Sequence, residues 1–277
     1  MFGRPLRAGF RAGMPQGRPA RASSPSGHTP QGDVLIQIWG QSNAEGRALR
    51  ADIDASPLDA DPGLETYNAG TFGRVYIWTG SVFALLTPAS NNQSSSTEFG
   101  AEFGLAVRWM RETTEGDLYI VKNAAGGLSI TSFEPTAGSK YLAGQTEKGQ
   151  FDAWLSSNAV SITQRAMLWW QGEANNTETQ SWYQTRLEDL YAAWIADDFI
   201  DATDRVILVQ MPVGTTRYDA DIAAAKTAVA ALYAPHATAP SAPNHMAADN
   251  LHQNARGQVQ AGYDAYAYFF DAATITV

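Results

Sequence analysis

The chain has 277 residues, with 44% hydrophobic and 17% charged side chains, enough to bury the core of one α/β domain. It has no cysteine, which excludes disulfides, thiolate-ligated metals, iron–sulfur clusters and a thiol nucleophile. The net charge of −9 is uneven: residues 1–32 carry five arginines and no acid, and the rest holds 14 basic against 28 acidic side chains, a net of −14 that disfavours nucleic acid as a partner.

Residues 1–32 are rich in Gly, Pro, Ser and Arg and lack apolar periodicity, so a flexible basic arm is expected. Its composition suggests docking to a larger assembly such as a virion. It lacks the apolar stretch of a secretory signal, and the compartment stays open. No run in the chain approaches the roughly 18 apolar residues of a membrane-crossing helix.

Residues 33–277 read as one domain in which strands alternate with helices. Val34–Trp39 is a short β-rich run closed by Gly40, as buried parallel strands are. The region 50–97 is less regular, with strand or hairpin pieces at Thr66–Asn68 and Val75–Trp78 and a long loop at 87–97. Helical spacing follows over Glu98–Arg111, a strand over Asp117–Ala124, a helix over Phe151–Thr163 and a strand over Ala166–Trp170. The remaining elements are a helix over Thr179–Ala196, a strand over Arg205–Pro212, and helices over Asp219–Tyr233 and Asn254–Phe270. This order predicts an α/β fold with a parallel sheet and helices on both faces. Sites in such sheets form in loops beyond the carboxyl ends of strands.

Four segments at those places carry chemistry. GQSNAEG (Gly40–Gly46) follows the first strand, where a sharp turn exposes the Ser42 hydroxyl beside unpaired helix N–H groups, as acyl transfer requires; alternatively, Ser42 or Asn43 merely caps the next helix. NAAGGLSI (Asn123–Ile130) offers the backbone N–H of Gly126 or Gly127 to an oxyanion, or is an ordinary glycine turn. WWQGEANN (Trp169–Asn176) places the Gln171 amide and the Glu173 carboxylate at a strand end; Gln171 is a candidate side-chain donor, and Glu173 a loop-orienting acid, a triad acid, or only a charge near the start of the next helix. In DNLH (Asp249–His252) the carboxylate can sit beside the imidazole and fix its tautomer, unless Asp249 is a turn residue and His252 a surface histidine. Gln41, Asn43 and Trp170 are candidates for supporting or substrate contacts.

Taken in order, these four segments resemble the SGNH hydrolase superfamily, and within it the sialate O-acetylesterase-like, family-6 carbohydrate esterase branch. The resemblance spans Val34 to about Gln258. Ser96–Ala106 resembles a further family stretch, with its usual proline replaced by Ala101 or absent. The resemblance implies a three-layer α/β/α sandwich with a central parallel sheet. It also implies Ser42 as nucleophile, His252 as general base and Asp249 as its orienting acid. The oxyanion donors it implies are the Ser42 N–H, a Gly126 or Gly127 N–H and the Gln171 side chain. The expected substrate is an acetylated carbohydrate, and the scheme needs no metal or cofactor. The competing expectations are a non-catalytic carbohydrate-binding or structural protein on the same fold, and a lipase or thioesterase for longer acyl chains.

Overall fold

The computed structural model describes residues 32–55, 72–88, 95–233, 237–240 and 245–270. The basic arm up to residue 31 and the Thr66–Asn68 piece lie outside the described residues.

A seven-stranded sheet organises the chain. Its strands are β1 (Asp33–Gly40), β3 (Val75–Trp78), β4 (Phe83–Leu85), β6 (Leu118–Ala124), β7 (Ile162–Trp170), β8 (Arg205–Gln210) and β9 (Ala237–Pro240). Their order is β4-β3-β6-β1-β7-β8-β9, all parallel except the edge strand β4, which returns antiparallel on β3. A short ribbon of β2 (Ala48–Leu49) and β5 (Glu98–Phe99) stands apart.

Period-two alternation along β1 sorts the core into two faces. Val34, Ile36 and Ile38 face one side, packing with Phe103, Leu105 and Trp109 of α3 (Ala101–Glu112) and with Val259, Tyr266 and Phe269 of α7 (Ala255–Phe270). Leu35 and Trp39 face the other side. That face is covered by α4 (Ser139–Ser157), α5 (Gln180–Ala196) and α6 (Ala220–Leu232), through Tyr141, Phe151, Leu187, Trp194, Ile222 and Val229. The result is the three-layer α/β/α sandwich, with helices on both faces of a mostly parallel sheet.

The helix expected over Phe151–Thr163 is instead α4, which starts at Ser139 and stops at Ser157. Its first half holds few apolar residues and Gly144, which reads as a breaker. Gly144 is there for packing: an added Cβ would lie 2.6 Å from the Trp39 ring. Residues 162–165 belong to β7. None of the described helices is long and apolar enough to cross a membrane.

Candidate active site

β1, β6 and β7 lie side by side and end level, with Gly40 paired to both Ala124 and Trp170. The GQSN, GG and QGE segments therefore leave the sheet together on one rim. β1 is central, and the chain runs from it first to one flank and later to the other, which opens a crevice at this rim. Gly40 makes the turn possible. Its φ is +144°, and an added Cβ would collide with the Trp170 carbonyl. Beyond it, the Gln41 N–H donates to the Trp170 carbonyl at 3.0 Å, and the one-turn helix α1 (Ser42–Glu45) begins. No side chain caps α1, so Ser42 and Asn43 are not serving as caps.

The far end of the chain meets this turn. His252 Nε2 lies 3.0 Å from Ser42 Oγ, and His252 Nδ1 lies 2.6 Å from Asp249 Oδ2. Asp249 Oδ1 accepts the N–H groups of Leu251 and His252, both at 3.0 Å. Asp249 thus shapes the turn and orients the ring at once. Burial pushes its carboxyl up, but the two backbone N–H groups and the imidazole outweigh that and hold it below the usual carboxylate range. An ionised Asp249 fixes the proton on Nδ1 and leaves the Nε2 lone pair facing the serine hydroxyl. The loop is held from outside by the segment after β8: the Thr216 N–H donates to the Asn250 carbonyl and Asn250 Nδ2 to the Gly214 carbonyl.

Asn43 locks the two ends together. Its Nδ2 donates to Glu173 Oε1 (2.7 Å) and to the Leu251 carbonyl (3.1 Å), and its Oδ1 accepts the Gln253 N–H (2.9 Å). The residues on both sides of His252 are thereby tied to the residue after Ser42. Glu173 is 4% exposed and spends one oxygen on this clamp.

Behind this turn sits Lys226 of α6, fully buried, with Nζ donating to the Val209 carbonyl at 2.7 Å. Burial lowers its pKa to about 8, against a smaller upward pull from Glu173. The unfolded chain keeps that proton to higher pH than the folded one, so the fold gains stability as pH rises from about 8 toward the ordinary lysine range. In thermal melts from pH 7 to 10, the melting temperature of the native protein is expected to climb relative to Lys226→Met. A constant difference across that range contradicts this.

Two expectations need correcting. Gln171 is fully buried and does not line the cleft. Its Nε2 donates to Asn175 Oδ1 (2.7 Å), the Leu128 carbonyl (3.0 Å) and Gln41 Oε1 (3.2 Å), while its Oε1 accepts the Tyr183 hydroxyl (2.7 Å). Both amide hydrogens are engaged, so Gln171 is no free oxyanion donor. Trp170 is buried in the core on the α3/α7 face and does not line that cleft. Strand alternation explains both: Trp170 turns to one helix layer and Gln171 toward Tyr183 under the other.

The cleft over the rim has a volume of about 870 Å³, the size of a small-ligand site. Gln41, Ser42, Gly126, Gly127, Glu173, Asp249 and His252 all line it. Sequence reading missed Arg47, Glu98 and Arg217 among its lining residues. Arg47 follows the GQSNAEG segment directly, which was its only signal; Arg217 lies in an unremarkable loop. Among the described residues, the N–H groups of Ser42, Gly126 and Gly127 make no hydrogen bond, so they are available to an anion in the cleft. Also among them, no cluster of three or more His, Asp or Glu side chains could hold a metal ion.

The sheet order, the layers and the chemistry gathered at the rim define an SGNH hydrolase-like α/β/α fold. The chain belongs to the carbohydrate esterase, sialic acid-specific acetylesterase family, whose family model matches residues 32–270. Among solved structures, an Arabidopsis thaliana protein shares 16% identity at a TM-score of 0.65, over 86% of this chain and 98% of that one. A carbohydrate acetylesterase from Xanthomonas citri shares 18% at a TM-score of 0.53, over 86% of this chain and 57% of that one. NanS shares 14% at a TM-score of 0.53, over 87% and 97%. No curated protein sequence matches significantly.

Proposed function

We propose that the protein is a serine esterase that removes O-acetyl groups from a carbohydrate through an acyl-enzyme. The observation that carries this is the unbroken line from Asp249 through His252 to Ser42, at 2.6 Å and 3.0 Å, opening on a cleft. His252 Nε2 takes the Ser42 proton as Oγ bonds to the acetyl carbon and the carbonyl electron pair moves to oxygen. The N–H of Ser42 and of Gly126 or Gly127 hold that oxyanion. Collapse expels the sugar alcohol, which takes the proton from His252. Water, deprotonated by the same imidazole, then attacks the acetyl-serine; acetate leaves as Ser42 Oγ takes the proton back from His252. The family assignment and the acetylesterase among the structural neighbours support the acyl group. A cleft of 870 Å³ has room for a sugar ring beside it.

The test is acetate release from acetylated xylans, sialosides and bacterial surface polysaccharides, run beside p-nitrophenyl esters from acetate to octanoate. The proposal expects release from at least one glycan and a preference for acetate among the esters. Octanoate preference would point to a lipase or thioesterase. No turnover of any substrate, with Ser42 inert to a fluorophosphonate, would point to a binding protein.

A further inference from the structure

The burial of Gln171 leaves the side-chain donor of the oxyanion site unassigned, and a neighbouring amide has the features it requires. Gln41 precedes Ser42, lines the cleft and is only 3% exposed. Its Oε1 accepts the Ala174 N–H at 3.1 Å and Gln171 Nε2 at 3.2 Å. A backbone N–H can only donate, so the atom facing Ala174 must be the oxygen, and the orientation of the amide is fixed. Gln41 Nε2, the remaining polar atom, has no hydrogen-bond partner among the described residues. The molecule thus holds an oriented N–H donor beside the serine, at the cleft, to which no acceptor among the described residues is bonded.

We infer that Gln41 Nε2 is the side-chain donor to the oxyanion, and that Gln171 is a positioning residue that acts through it. Gln171 suits that part. Tyr183 and Asn175 grip its two ends, and the Tyr183 hydroxyl also accepts from Trp169 Nε1 at 3.2 Å. A chain of hydrogen bonds therefore runs from the α5 layer to the cleft: Tyr183 donates to Gln171, and Gln171 donates to Gln41. Each link fixes the next, and Gln41 meets the reacting oxygen with its orientation already set. Gln41 donates a hydrogen bond and transfers no proton.

This rests on the serine esterase reading, and the experiment separates the two. kcat and KM on p-nitrophenyl acetate are measured for Gln41→Ala, Gln41→Glu, Gln171→Ala, the double variant Gln41→Ala/Gln171→Ala and Ser42→Ala, with a thermal melt of each. Gln41→Glu keeps an oxygen for Ala174 and Gln171 but replaces the donor with an acceptor, so it decides the matter if the alanine variant fails to fold. Both Gln41 variants should lose about 10²–10³ in kcat, with KM within about threefold. Gln171→Ala should lose less, and its effect should vanish in the Gln41→Ala background, because it works through that side chain. Retention of kcat in Gln41→Glu, beside an inactive Ser42→Ala, overturns the role of Gln41 and leaves the esterase intact. An undiminished cost of Gln171→Ala in the double variant overturns the relay. An active Ser42→Ala brings down the acyl-enzyme itself.

Discussion

Ser42→Ala should abolish esterase activity while leaving the fold intact. The hydroxyl makes one side-chain hydrogen bond, to His252 Nε2, and its residue sits against an open cleft. Deleting it creates no core cavity, and the imidazole it leaves can bond water. The melting temperature should therefore stay within a few degrees of the parent. Catalysis has no substitute: no cysteine exists in the chain, and the clamp holds this one hydroxyl in line with the base. Loss of a serine nucleophile costs on the order of 10⁶ in kcat in enzymes of this mechanism. Turnover of p-nitrophenyl acetate, together with fluorophosphonate labelling, measures it. A variant that turns over near the parental rate would remove Ser42 from the mechanism.

Asp249→Asn tests the other end of the line. Asparagine can still accept the N–H groups of Leu251 and His252 at Oδ1, so the turn persists. What changes is the group facing Nδ1, where an NH₂ replaces a carboxylate oxygen. Two donors cannot share one hydrogen bond, so the imidazole moves its proton to Nε2 and presents an N–H to Ser42. It can then no longer act as the base. The loss expected is on the order of 10⁴ in kcat, with KM little changed. This argument rests on tautomer rather than charge, and the half-exposure of the carboxylate does not weaken it. Wild-type kcat in this variant would assign the orientation of His252 to the loop alone. Asp249, held below the usual carboxylate range, keeps the charge that orients the ring to lower pH than an ordinary aspartate would.

The sheet and its reactive rim were legible in the sequence because both leave local marks. Buried parallel strands are apolar runs closed by glycine, and Gly40 and Gly126 sit where such runs stop. GQSN and DNLH could be paired because strand ends in this topology share one rim. What stayed hidden depends on distant partners. α4 is masked by Gly144, whose reason is a Trp39 ring from another layer. The edge strands β4 and β9 are only three and four residues long, too short for a strand period to show. Gln171 was read as a donor because it ends a strand, yet the face it turns to is set by alternation and by Tyr183 twelve residues on. Trp39, Trp78, Trp169 and Trp170, all near these segments, are core residues, whereas Trp182 is half-buried.

The Asn43 clamp and the serine–imidazole contact each join residues about 210 positions apart in the chain. Every strand of the sheet except β1 lies between those two partners in the chain. The arrangement of hydroxyl and imidazole is therefore a property of the whole fold: a fragment lacking either end of the chain lacks one of the two groups.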